Sequence, residues 1–149
     1  MKIAFIVYSR GAPQGSKKAF SLNQIVESSV RVKPFRQDVR FTALEFPLPD
    51  GWPMDAPMRV SYEFNFKRPK SHYTRLGQLV KSAVQHPTGK NIGDIEKLAR
   101  AVSDALTGVV FEDDKQVVEM NLTKSFAETD LVIINVEPLV YNANASSGK

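Results

Sequence analysis

One stretch of the chain alternates without a break. In "MRVSYEFNFKRP" (58–69), Met58, Val60, Tyr62, Phe64 and Phe66 fall on one face, and Arg59, Ser61, Glu63, Asn65 and Lys67 on the other. That is the period of a half-buried strand. "KIAFIVY" (2–8), "KQVVEMNLTKSF" (115–126) and "TDLVIINVEP" (129–138) read as strands from their β-branched and aromatic content, and "VVF" (109–111) as a short one. Helical spacing is clearest at Ile95, Leu98, Ala99, Val102, Ala105 and Leu106, with Asp94 at the N-cap position and Gly108 as a stop.

Other segments fit more than one period. "KPFRQDVRFTALEF" (33–46) suits a helical face through Phe35, Val39, Thr42, Ala43 and Phe46, with Pro34 as first residue. Val39, Phe41 and Ala43 also suit a strand; helix is the favoured reading. "AFSLNQIVESS" (19–29) is assigned a short hairpin, and "LGQLVKSAVQH" (76–86) a short helix ended before Pro87. "SRGAPQGSKK" (9–18), "PLPDGWPMDAP" (47–57), "KRPKSHYTR" (67–75) and "PTGKNIG" (87–93) are loops by their Pro, Gly, Ser or basic content. Strands, then helix, then strands predict an α+β fold: one domain over 1–140, built on a small mixed sheet packed with a few helices, and a flexible tail over 141–149. The core aromatics are expected to include Phe35, Phe64 and Phe66. Trp52, in the proline-rich loop, is a candidate for packing on a second subunit.

Composition narrows the chemistry. No cysteine occurs among 149 residues, which removes disulfides, thiolate metal sites and a cysteine nucleophile. No apolar run reaches the roughly 20 residues of a membrane span, and the expectation is a soluble, intracellular, cytoplasmic protein. The net charge of +4 permits a polyanionic partner. The distribution says more. Residues 94–119 hold seven acids (Asp94, Glu96, Asp104, Glu112, Asp113, Asp114, Glu119) and three bases (Lys97, Arg100, Lys115), a net of −4, so the remainder carries +8.

The acids lie at the start of the predicted helix and beyond its end. The helix from 94 to 107 advances roughly 20 Å, and seven extended residues return about 23 Å. Asp114 is thus expected beside the helix start. Carboxylates gathered there would select a hard divalent ion, Mg²⁺ or Mn²⁺, and an acidic metal site on a basic surface suits phosphodiester hydrolysis. The same residues also read as an N-cap, a first-turn acid, an ordinary Glu96–Arg100 pair and a solvated turn. Periodicity and charge leave both readings open.

The segment "GDIEKLARAVSDALTGVVFEDDKQVV", with "FNFKRPKSH", "GAPQGSKKAF" and "VKPFRQDV" upstream, resembles the RusA-like Holliday junction resolvases over most of residues 5–126. The resemblance implies Asp94, Glu96 and Asp114 as catalytic, metal-holding carboxylates. Arg100 would contact phosphate or the transition state, with Asp104 and Asp113 in support. It implies Mg²⁺ as cofactor with Mn²⁺ as substitute, branched four-way DNA as partner and a homodimer, with no membrane involved. A phage or prophage source suits the small size. Lys17, Lys18, Lys67, Arg68, Lys70, Arg75 and Lys97 are the candidate DNA contacts. His72 is a supporting candidate for phosphate contact or proton relay. Departures from the family pattern are Glu96 where aspartate is usual, Arg100 for lysine, Lys97 for asparagine, and Gly93 for the proline before the acidic pair. Two alternatives follow: a catalytically weakened junction binder, and a branch or flap nuclease of the same fold.

Overall fold

The alternating segment becomes the spine of a four-stranded sheet. The computed structural model describes residues 1–15 and 22–140, and in its first helix the side chains are described from residue 30 onward. The strands are β1 (Ile3–Val7), β2 (Met58–Lys67), β3 (Val117–Ala127) and β4 (Leu131–Pro138). Their spatial order is β1-β4-β2-β3. β4 runs antiparallel to β1 and β2, whereas β2 and β3 are parallel. Met58, Val60, Tyr62, Phe64 and Phe66 of β2 are all buried, as are Val132, Ile134 and Val136 of β4 and Ile3, Phe5 and Val7 of β1. These apolar faces lie on one side of the sheet, under helices α1 (Leu22–Glu45) and α2 (Ile95–Leu106). The result is a small α+β domain of two layers.

Parallel neighbours need a crossover. Here the chain leaves β2, runs through a basic loop with a 3-10 turn at Lys70–His72, and crosses as α2. A second 3-10 turn, Asp114–Gln116, feeds β3. Every acid of the island except Glu119, which lies on β3, therefore sits on the crossover. α2 buries Leu98, Ala99, Ala101, Val102, Ala105 and Leu106, the apolar face that its spacing predicts, with Ile95 half-buried.

Four local expectations are corrected. Residues 22–29 belong to α1 and form no hairpin. Pro34 lies inside that helix and is not its first residue; the buried Val32, Phe35, Val39 and Ala43 carry the apolar stripe across it. No helix forms over 76–86, where Gly77 adopts φ 80° and a Tyr73–Leu79 bridge closes a turn. "VVF" is a turn and no strand of the sheet: Gly108 at φ 81° reverses the chain, and the Val109 and Val110 amides donate back to the Leu106 carbonyl. Trp52 is used within the subunit, its indole N–H donating to the Val110 carbonyl at 2.8 Å. Phe35, Phe64 and Phe66 are core residues as expected. The 141–149 tail, Lys17 and Lys18 lie outside the described residues.

Candidate active site and nucleic-acid surface

A groove of about 360 Å³ opens between α2 and β3. One wall is the helix stripe Glu96, Ala99, Arg100 and Ser103, positions that share a face at spacings of three and four. The other wall is the start of β3, and Asp114 enters from the 3-10 turn. Glu96, Arg100 and Asp114 thus line one cavity. Glu119 lines it as well, but its carboxylate is held by Arg59, which also reaches Glu137 at 3.2 Å.

The turn that presents Asp114 is braced on both sides. The Asp113 carboxylate accepts the Lys115 amide N–H at 2.9 Å, and the Gln116 side-chain oxygen accepts the Asp113 amide at 2.8 Å, a reciprocal capping box. The Gln116 amide group donates to the carbonyls of Met54 and Ala56 at 2.7 and 2.8 Å. The Lys115 amide, with lesser charge contributions, holds the Asp113 carboxyl below the usual range. Asp114 moves the other way. Burial raises its pKa, and the neighbouring carboxylates of Asp113 and Asp104 add to the effect. Beneath it the Tyr62 hydroxyl and Ser103 hydroxyl share a buried hydrogen bond of 2.9 Å, and burial pushes the Tyr62 phenol well above the usual tyrosine range.

Asp114 enters the groove that Glu96, from the first turn of the helix, also lines. Ser103 lines the same cavity, and Asp104 adds to the negative charge near Asp114. Asp94 caps the helix by position only: its side chain makes no cap bond and lies 3.6 Å from Lys97 Nζ, largely exposed. Asp94 does not line the groove. Among the described residues no three acidic or histidine side chains are close enough together to hold a metal ion. Glu96 and Arg100 form no ion pair among the described contacts, whose only helical pair is Asp94–Lys97.

The departure at Gly93 has a conformational basis. Its φ is 92°, and a Cβ there would meet Pro13 Cγ at 2.5 Å. Proline, fixed near −65°, cannot adopt that angle. The Gly93 carbonyl accepts Lys124 Nζ at 3.2 Å, so the helix entry is clamped between the N-terminal loop and β3.

The expected DNA contacts separate into two kinds. Lys67, Lys70 and Arg75 are exposed. Arg68 is committed inside the protein: its guanidinium donates to the Val84 carbonyl at 2.7 Å, meets His72 Nδ1 at 3.3 Å and lies 4.2 Å from the Phe126 ring centroid. His72 stands edge-on to Phe126 and apart from the carboxylate groove. Sequence reading missed a further cationic surface on α1, where Lys33, Arg36 and Arg40 gather beside Asp104. Asp104 accepts Gln14 Nε2 at 2.6 Å, and Gln14 in turn accepts Arg36. Arg40 donates to the Ala105 and Thr107 carbonyls at 3.4 and 3.0 Å, capping the C-terminus of α2. The signal was present as basic residues at three- and four-residue spacing on a helical segment.

A groove with carboxylates and an arginine, set among exposed cations, is an arrangement that suits a phosphodiester hydrolase of nucleic acid. The chain matches endodeoxyribonuclease RusA over residues 11–137. It belongs to the RusA endodeoxyribonuclease family, whose members act on branched DNA junctions and are generally dependent on divalent metal. A comparison with curated proteins finds no match. No helix among the described residues is long and apolar enough to cross a membrane.

The groove's donors fit such a metal. Glu96 and Asp114 offer hard oxygen donors, and the carboxylates of Asp113 and Asp104, which add to the upward shift that burial gives Asp114, are negative charge that a cation would relieve. Mg²⁺ keeps several waters and takes one or two protein carboxylates along with phosphate oxygens. Two carboxylates across an open groove suit that pattern better than a closed protein cage.

Proposed function

We propose that this endodeoxyribonuclease resolves four-way DNA junctions with Mg²⁺, or Mn²⁺ in its place, through paired symmetric nicks in recombination and repair. The observation that carries the reading is the α2–β3 groove, where Glu96, Arg100 and Asp114 share one cavity in a chain of the RusA family. Glu96 and Asp114 would hold the metal, with Asp94 at the rim. When bound, the ion supplies Lewis acidity at the phosphate and lowers the pKa of water.

The chain's own residues do the remainder. Arg100 places a permanent positive charge where negative charge grows on the phosphoryl oxygens. Lys67, Lys70, Arg75 and Lys97 hold the DNA backbone, and Lys17 and Lys18 extend that set. Asp113 and Gln116 fix the turn that presents Asp114. Asp104 adds negative potential and anchors Gln14, while His72 belongs to the adjoining basic cavity. A junction has two equivalent strands to cut, so a homodimer with one groove per subunit meets its symmetry. Its workplace is the cytoplasm, and its endonuclease domain comprises residues 1–140.

A weakened junction binder is the second reading, favoured by the outward placement of Asp94 and by Arg100 in place of lysine. A labelled four-way junction with Mg²⁺ or Mn²⁺ separates the two. Paired nicks at symmetric positions, with linear duplex uncut, are expected. Binding without nicks in either ion selects the second reading, and equal cutting of linear duplex removes branch preference.

A further inference from the structure

A second cavity, of about 510 Å³, lies beyond the carboxylate groove. It is larger than the groove and differs in character. Arg10, Lys67 and Lys90 line it, all exposed, and none has a carboxylate partner among the described ion pairs. Arg10 is held in place: its guanidinium lies 5.5 Å from the Phe66 ring centroid and reaches the Asn91 carbonyl at 3.4 Å. The opposite lining is apolar, with Val84, Ile92 and Phe126. Arg68 stiffens this wall by joining Val84, His72 and Phe126, and its charge is already committed there.

Surface cations alone suffice for a passing backbone phosphate. A concavity of several hundred cubic ångströms with an apolar lining and a cationic rim takes more than an anion. Its chemistry fits a nucleotide: phosphate on the cations, base against Val84, Ile92 and Phe126. Phe126 and Leu122 lie on the same face of β3, and Leu122 lines the carboxylate groove. Four residues of strand separate them by roughly 13 Å, the axial rise of about four nucleotides of a duplex strand.

We propose that this cavity receives a single unpaired nucleotide of the DNA substrate, a few nucleotides from the phosphate in the carboxylate groove. The inference rests on the nuclease reading for its occupant. It also gives the fold a source of branch selectivity. Extracting a nucleotide from intact duplex costs unstacking and unpairing, and costs least where pairing is already lost. Base pairs that flank a branch point open at lower cost than those inside linear duplex.

The test has two arms. In the first, the metal-free full chain is titrated with dAMP and with inorganic phosphate by calorimetry and NMR. dAMP is expected to bind about tenfold tighter, the share of a docked base. Val84→Trp should fill the base slot from a half-exposed position and bring dAMP down to the phosphate level. Lys90→Ala should weaken both ligands, and thermal melting verifies that each variant folds. Equal binding of dAMP and phosphate, or dAMP binding untouched by both variants, overturns the inference.

The second arm places 2-aminopurine at successive positions around a four-way junction. Brightening at one position near the branch is expected with the wild-type chain and not with Val84→Trp. A junction that is bound and nicked but stays dark at every position overturns the nucleotide site and leaves the nuclease standing. A junction that is not bound removes both.

Discussion

Gly93 and the Tyr62–Ser103 pair show how single residues set the site. Family pattern alone suggests proline before the acidic pair, and Gly93→Pro would then look harmless. The φ of 92° and the contact with Pro13 predict otherwise. The substitution should cost about 3 kcal/mol or more in urea unfolding, and a variant as stable as the parent would show the helix entry to be built differently. Tyr62→Phe leaves the Ser103 hydroxyl buried without its partner and should cost about 1–3 kcal/mol. The phenol also gives an alkaline limb. Its folded pKa is raised by burial, so the folded state keeps its proton when the unfolded chain loses it. Stability is full below about pH 10, the unfolded value, and falls as pH rises above it. Unfolding curves at pH 7 and 11 should show that loss in the parent and a smaller one in Tyr62→Phe. At this scale the sequence revealed types and not uses. Glu96, Arg100 and Asp114 were legible as candidates. Arg68 looked like any other basic loop residue, because nothing in its neighbours foretells that Val84, His72 and Phe126 enclose it.

The elements were legible where one force dominated. β2 alternates because one face is buried along its whole length, and α2 shows a continuous apolar stripe. Reading failed where local and tertiary preferences compete. Pro34 argues for a helix start, yet packing of residues on both sides carries α1 through it. "LGQLVKSAVQH" has helical spacing, but Gly77 at positive φ breaks it. "VVF" has strand-forming residues, but it packs around the α2 terminus, where the sheet has no place for it. The 3-10 turn at Asp114–Gln116 was invisible as structure, although "EDDKQ" contains its capping box. This element carries a prediction about function. Gln116→Ala removes two bonds to the Met54 and Ala56 carbonyls, and Asp114 loses its brace. Single-turnover nicking should fall by roughly tenfold or more, with junction affinity nearly unchanged. An unaltered nicking rate would show that the turn needs no anchor.

Across the whole molecule, charge is arranged so that a local acidic groove sits within a basic surface. The sequence totals, −4 over residues 94–119 and +8 elsewhere, already implied this division. What they could not tell was its shape: the crossover places Glu96 and Asp114 between α2 and β3, while cations gather on α1 and around the 67–90 loop. Junction binding should weaken steeply with salt. Replacing exposed Lys70 with alanine should reduce the log–log slope by about one unit and weaken all DNA forms alike. The account as a whole turns on whether the α2–β3 groove cuts DNA. Asp114→Asn tests it most directly, measured as nicking of a labelled four-way junction in Mg²⁺ and Mn²⁺ beside a binding titration of the same protein. Retained binding with nicking abolished in both ions is the predicted result. Nicking at the parental rate would place the active site elsewhere.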